Sequence, residues 1–423
     1  MEAPAPTLTR RVFRPDDTPA RIRQKVVVVV VAAAALLATT GLLMSRAQEQ
    51  ARIIGEVAAP QAATASDLYF ALSDLDAQVA RMVLIDDADA LSGSQIDALG
   101  TYRERSSQVD EDLARLLATA DHAAVVRLTN DLATYREWVW QALTVESQLP
   151  AQPPGKLPPA ALGFYTQATN VLHLRLLPGA KGLRDASETR LDRAYGQQRL
   201  VAGLGIGLAL LLGGLLLTLL VRFQVWLVRR FRRLLNPALL GATVVTFGLV
   251  VSACLIFGGS AQRLGAARED SLDPFLALSQ TRAVSYDAAA DTSRYLISGG
   301  LPYYTADFTA KSDTLVADPA VLERWRAYQR DHERIVALAD SGRTAEAIDA
   351  LTGIRRGDAA FDFSYFDAAI SAVAADHKQA FDVSFRDGQG LLTGWVVIPI
   401  AAMALVILLV PLGVRRRLAE YRA

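Results

Sequence analysis

Asp74, Asp76 and Arg81, and again Asp287, Asp291 and Arg294, set two carboxylates beside one guanidinium within a stretch of eight residues. That combination suits an amino-acid zwitterion, because a guanidinium grips a carboxylate through paired N–H donors while a neighbouring carboxylate receives the ammonium. Helical phase tempers the expectation. A seam through Leu72, Leu75 and Val79 puts Asp74 and Arg81 at a solvent-facing position, where charges are expected to be solvated. Asp76 and Arg294 border the seam. Asp76, Arg81 and Arg294 are therefore the candidate ligand contacts.

No other chemistry is visible. His122, His173, His332 and His377 lack metal-ligand spacing, and no Ser-His-Asp, Cys-His or paired-carboxylate arrangement stands out. His332 falls on an apolar stripe with Tyr328 and Ile335 and is expected to be a satisfied core histidine. The expectation is a protein that is not an enzyme, with no catalytic residue, cofactor or metal. The single cysteine, Cys254, lies in an apolar run, so no disulfide holds the polar parts together.

The elements that carry these residues follow from four runs free of Asp, Glu, Lys and Arg: 26–44, 200–221, 238–257 and 391–413. Each holds the roughly 20 residues a helix needs to cross hydrocarbon. The three short segments outside them, 1–25, 222–237 and 414–423, contain 15 basic residues against four acidic ones, a balance of +11 hidden by overall neutrality. By the preference of cationic segments for the inner face, these short segments, and both termini, are expected in the cytoplasm. Residues 45–199 and 258–390 are then acidic extracytoplasmic domains. The expected location is a bacterial plasma membrane, crossed several times. Ser45-Arg46-Ala47 loosely resembles a signal cleavage site, but a 19-residue apolar core is long for a signal.

The chain reads twice through one plan of basic segment, span, helical outer domain and span. At an offset of 214, Pro60 meets Pro274; at 213, Asp74 meets Asp287 and Arg81 meets Arg294. Seams spaced by threes and fours run through Leu68–Met82, Val125–Ala142, Leu272–Ile297 and Val321–Ala339, with no competing alternation. The predicted fold class is an all-α membrane protein with four transmembrane helices and two extracytoplasmic antiparallel four-helix bundles, arranged as a tandem duplication. Ser298-Gly299-Gly300 and Ser341-Gly342 are read as turns, and the Pro-rich stretch from Leu149 to Pro159 as a connector, with a helix restarting near Ala160. The first and last helices of each bundle are expected to run on into the membrane. Pro60 and Pro274 should kink rather than stop them.

Inside the spans, Gly203, Gly207 and Gly214, and Gly241, Gly248 and Ser252, form small-residue stripes that predict helix packing within the membrane bundle or, alternatively, a homo-oligomer seam. Pro399 should open a flexible point at Trp395, and Pro411 should mark the end of its span. The spans lack ionisable residues, which disfavours a transporter. Arg222, Arg229, Arg230, Arg232 and Arg233, with Arg415, Arg416 and Arg417 in the tail, are expected to meet anionic lipid or an acidic cytoplasmic partner. No nucleic-acid partner is expected.

Three stretches carry a family resemblance: Asp67-Leu68-Tyr69-Phe70-Ala71-Leu72-Ser73-Asp74-Leu75-Asp76-Ala77, Ser293-Arg294-Tyr295-Leu296-Ile297-Ser298-Gly299-Gly300 and Arg417-Leu418-Ala419-Glu420-Tyr421-Arg422. With the doubled layout they resemble the actinobacterial GlnX-type four-span membrane proteins, and the outer domains resemble chemoreceptor helical sensor domains. The resemblance implies a relay in which a GlnH-like solute-binding lipoprotein outside detects an amino acid and a PknG-like Ser/Thr kinase inside responds. On that reading the chain is a non-enzymatic signal relay. The alternatives are a direct small-molecule sensor, in which Arg81 or Arg294 meets a ligand carboxylate, and a structural cell-envelope protein.

Overall fold

A computed structural model describes residues 18–85, 92–148, 155–231, 236–392, 395 and 397–419. Among them every regular element is helical: α1 (Thr18–Ile53), α2 (Ala59–Ile85), α3 (Ser92–Leu117), α4 (His122–Gln148), α5 (Pro159–Val171), α6 (Leu177–Phe231), α7 (Pro237–Ala267), α8 (Asp273–Ile297), α9 (Pro302–Ser312), α10 (Pro319–Asp340), α11 (Thr344–Thr352), α12 (Ala359–Gly390) and α13 (Val397–Ala419). Three continuous helical stretches, Arg21–Ile85, Pro159–Arg229 and Pro237–Ile297, contain apolar windows long enough to cross a membrane. The chain is an all-α membrane protein.

The fourth expected span differs. Leu391 and Leu392 form a turn after α12, and the apolar helix that follows, Val397–Gly413, is shorter than the other three. The last helix of the second polar segment therefore stops instead of continuing. Pro399 falls in the first turn of α13, where its missing N–H would have had no partner anyway, so it creates no mid-helix opening at Trp395. Pro411 lies within α13, which runs on to Ala419, and the apolar part of that helix ends close by at Gly413.

Pro60, Pro178 and Pro274 do not stop their helices either. Each stands two residues after a π-helical turn: Ile54–Ala58, Leu172–Leu176 and Arg268–Leu272. A proline collides with the carbonyl four residues before it, here Glu56, Leu174 and Asp270, and each of those carbonyls lies inside the widened turn. The extra residue absorbs the clash and the helix continues. The first and third π turns recur at the same offset in the chain as Pro60 and Pro274.

Two compact units result. One comprises Met1–Glu49, Gln198–Gln262 and Gly388–Ala423 and holds the apolar runs; the other comprises Gln50–Gln197 and Arg263–Asp387. Within the apolar unit, Asn236 caps α7 by accepting from the Ala238 N–H at 3.1 Å, and its amide donates to the Gly413 carbonyl at 2.7 Å. Phe223 and Leu227 are buried while Arg222 and Arg229 are exposed, so the end of α6 is amphipathic.

The polar unit departs from the expectation of two separate bundles. Both polar segments fold into one body, in which α2 of the first lies along α8 of the second. They run in the same direction: Phe70 meets Tyr286 edge to face, and farther along both helices Asp76 meets Arg294. Around this central pair, α3 packs on α2, and α9 and α10 on α8. Every residue from Phe70 to Ala80 is buried, and so is every residue from Ala290 to Ile297. A helix enclosed on all sides has no solvent face, so its charged residues must find partners inside.

Candidate functional site

Two charged constellations occupy the α2–α8 seam. In the first, Arg294 donates to Asp287 at 3.2 Å, to Asp291 at 2.5 Å and to Asp76. Lys311 of α9 closes the other side, 2.9 Å from Asp287, 2.6 Å from Asp291 and 2.8 Å from Asp307. The Tyr135 hydroxyl of α4 adds a bond to Asp76 at 3.3 Å. Asp76, Asp291 and Arg294 are at most 2 % exposed.

Burial alone would favour neutral Arg294, but Asp76, Asp291 and Asp287 outweigh it and hold its proton more tightly than usual. Burial opposes ionisation of Asp287 too, yet Arg294 and Lys311 keep its carboxyl down at about 2. The pKa of His173, 3.9 Å from Asp287, is pushed down by burial and by the charge of Arg294. This constellation joins the two halves of the polar unit, and its buried charges are taken up by one another. Asp76 and Arg294, expected as separate ligand contacts, are each other's partners.

The second constellation corrects the expectation for Asp74. Its carboxylate is fully buried, receiving Arg105 of α3 at 2.5 Å and the Gln78 amide at 2.7 Å. Burial raises its pKa against the pull of Gln78 and Arg105. Arg105 lies 5.2 Å and Arg282 4.0 Å from the Phe70 ring centre, and Arg282 in turn grips Asp367 of α12 with bonds of 2.6 and 2.9 Å. None of Gln78, Arg105, Arg282, Asp367 or Lys311 was singled out from the sequence. Their signal was there in principle, since a helix of alanines, serines and leucines that is apolar all round is a central helix, and a carboxylate on it demands a cation.

Arg81 stands apart. On α2 it occupies the position that matches Arg294 of α8 when the two halves of the chain are aligned. Where Arg294 has three carboxylates, Arg81 reaches, among the described residues, the Gln78 side-chain oxygen at 3.4 Å and Asp97 at 3.9 Å, and Asp97 is itself 71 % exposed. Arg81 lines a cleft of about 400 Å³ between α2 and α3 on one side and α8, α10 and α12 on the other. Tyr286, Tyr328, Phe361 and Phe363 supply much of its wall, with Ala77, Ala289 and Ala290 leaving the space open. Of the three candidate ligand contacts, Arg81 alone faces such a cleft. Residues 50–196 match the actinobacterial sensor domain. The match covers α2 to α5, most of what precedes the apolar run of α6, and includes Arg81. No curated protein and no solved structure matches the chain. The matched segment is similar to a sensor domain, which supports an actinobacterial sensor protein with a signalling role.

The remaining sequence candidates scatter. Arg222, Arg229 and Arg415 are exposed; Arg230 lies on α6 and Arg416 and Arg417 on α13, while Arg232 and Arg233 fall outside the described residues. In the apolar unit, a methyl group added at Gly203, Gly207, Gly214 or Gly248 would meet nothing within 4 Å, at Gly241 it would meet only Leu409, and Ser252 bonds to its own helix at the Gly248 carbonyl. The close approaches fall instead at Gly205, against the Phe257 ring at 2.9 Å, and at Gly213, against Val250. Within the chain, α6 makes its close contacts through the face that bears Gly205 and Gly213, and the stripe of Gly203, Gly207 and Gly214 is open. His332 is buried as expected, its Nδ1 2.9 Å from the Thr292 hydroxyl and its ring stacked 3.7 Å from Phe308. Among the described residues no group of His, Cys, Asp and Glu could hold a metal ion.

Proposed function

We propose that this chain is a non-enzymatic transmembrane signal relay, in which the sensor module detects amino-acid availability outside the cell and the basic segments pass the result to a Ser/Thr kinase inside. The observation that carries the proposal is the helix α6: it begins in the matched sensor segment, continues without interruption through the apolar run 200–221 and ends in the basic stretch bearing Arg222, Arg229 and Arg230. An unbroken helix converts a shift or rotation at one end into a shift at the other, on the usual scale of ~1 to 2 Å. The π turns before Pro60 and Pro274, placed alike in the two halves of the chain, support a tandem duplication that supplies two such inputs.

On this reading four spans put both termini in the cytoplasm, and a solute-binding lipoprotein of GlnH type docks on the polar unit while a PknG-type kinase reads the arginines, which also contact anionic lipid. The chain supplies no catalytic group of its own to this relay. Intact protein in detergent, co-expressed with a solute-binding lipoprotein and a Ser/Thr kinase, should retain both on affinity capture; recovery of neither overturns the relay. Replacing Arg229, Arg230, Arg232 and Arg233 with Gln should weaken kinase output while leaving the polar unit folded. Unchanged output would remove the arginines from the pathway.

A further inference from the structure

We infer that the Arg81 cleft is a ligand site of the sensor module, built for a small carboxylate carried on an aromatic or branched aliphatic body. The inference rests on the sensor reading for its purpose and on the cleft for its chemistry. A guanidinium at the wall of a largely apolar cleft gains from an anion, and elsewhere in this unit buried or half-buried arginines have one: Arg105 has Asp74, Arg282 has Asp367 and Arg294 has three carboxylates. Arg81, with 23 % of its side chain exposed, has among the described residues a long contact to Asp97 and a weak bond to Gln78. The other carboxylate lining the cleft, Asp367, is committed to Arg282 and cannot serve it.

The volume of about 400 Å³ lies in the range of small-molecule sites and takes a body the size of a phenyl or isobutyl group with its carboxylate. Tyr286, Tyr328 and Phe363 offer ring edges and faces to such a body, and Ile354 borders the opening. Asp97, close to Arg81 and largely exposed, stands where the ammonium of an amino acid would fall; a simple carboxylic acid would leave it in water. The shared requirement is the carboxylate. The site spans α2, α3, α8, α10 and α12, so an occupant would tie together helices from both halves of the polar unit.

Isothermal titration of the full chain in lipid nanodiscs tests this with four carboxylates, phenylacetate, 4-methylpentanoate, L-phenylalanine and L-leucine, and with 2-phenylethanol as the uncharged control. The expected result is saturable binding of at least one carboxylate at one site per chain, none of the alcohol, and about a tenfold or greater loss in Arg81→Gln. Preference for the amino acids over the simple acids assigns Asp97 to the ammonium; the reverse order leaves it outside the site. Ala360→Trp, at a partly exposed lining position, fills the cleft without touching Arg81 and should abolish binding as well. Should Arg81→Gln fail to fold, Ala360→Trp decides alone. Absence of binding by every carboxylate, equal binding of the alcohol, or binding indifferent to the folded variants overturns the site. None of those outcomes touches the relay, whose own test is capture of the lipoprotein and kinase.

Discussion

Arg294 of α8 and Asp76 of α2, far apart in the chain, form an ion pair that is almost wholly buried where the two halves of the polar unit meet. The pair explains why the halves fold as one body. Asp76 would lose its guanidinium without the second half, whereas Arg294 keeps Asp287 and Asp291 of its own helix, and the cost of the stranded carboxylate exceeds what the pair itself contributes.

Arg294→Gln and Asp76→Asn should each be strongly destabilising, Arg294→Gln by about 3–5 kcal/mol because it takes the guanidinium from Asp76 and leaves Asp287 and Asp291 to Lys311. In the double variant the loss should fall short of the sum of the two, with a coupling of about 0.5–3 kcal/mol. Chemical denaturation of the detergent-solubilised protein measures both, and strict additivity would show that the contact is not energetically coupled.

Acid should weaken the second half of the polar unit through His332. Burial against Phe308 lowers its pKa to about 4, below the ordinary value of about 6.5 that it regains on unfolding. A depressed histidine contributes stability that is fully present above pH 6.5 and is lost as pH falls toward 4, because only the unfolded chain takes up the proton there. His332→Phe, which keeps the stack and leaves Thr292 its contact with the Tyr328 hydroxyl at 3.3 Å, should flatten the fall in melting temperature between pH 7 and pH 4.5. An unaltered slope would place the acid sensitivity elsewhere.

Gly205→Ala and Gly213→Ala should destabilise the apolar unit by about 1–3 kcal/mol, since the new methyl groups meet the Phe257 ring and Val250. Gly203→Ala and Gly207→Ala, open on that side, should stay within about 0.5 kcal/mol of the parent. Thermal melting in one detergent compares the four. If Gly203 or Gly207 proved the sensitive position, the face it lies on would be packed against a second copy of the chain.

Much of the architecture was legible from local pattern. Seam spacing marked the helices, Ser298-Gly299-Gly300 ended α8 with Gly299 and Gly300 at φ of +72° and +93°, and Ser341-Gly342 ended α10 with Gly342 at +79°. These are short-range properties: periodicity, uninterrupted apolar length and tolerance of positive φ need only neighbouring residues. The candidate site was legible only in part. Asp76, Arg81 and Arg294 were visible as charges on helices, but a heptad reading assigns each helix one buried face and one wet face, and α2 has no wet face along Phe70–Ala80.

What the amino-acid sequence determined by itself was therefore an all-helical membrane chain with charged residues at related positions in two polar segments. Tertiary structure decided which of those charges were consumed. The packing of α2 against α8 gave Arg294 a third carboxylate, Asp76, beside Asp287 and Asp291 of its own helix, and left Arg81, its counterpart in the first half of the chain, beside an open cleft. The physical reason is that Ala289 stands on the opposite helix where the counterpart of Asp76 would be. A missing partner across a helix interface becomes apparent only when the interface forms, because the two residues lie in different halves of the sequence.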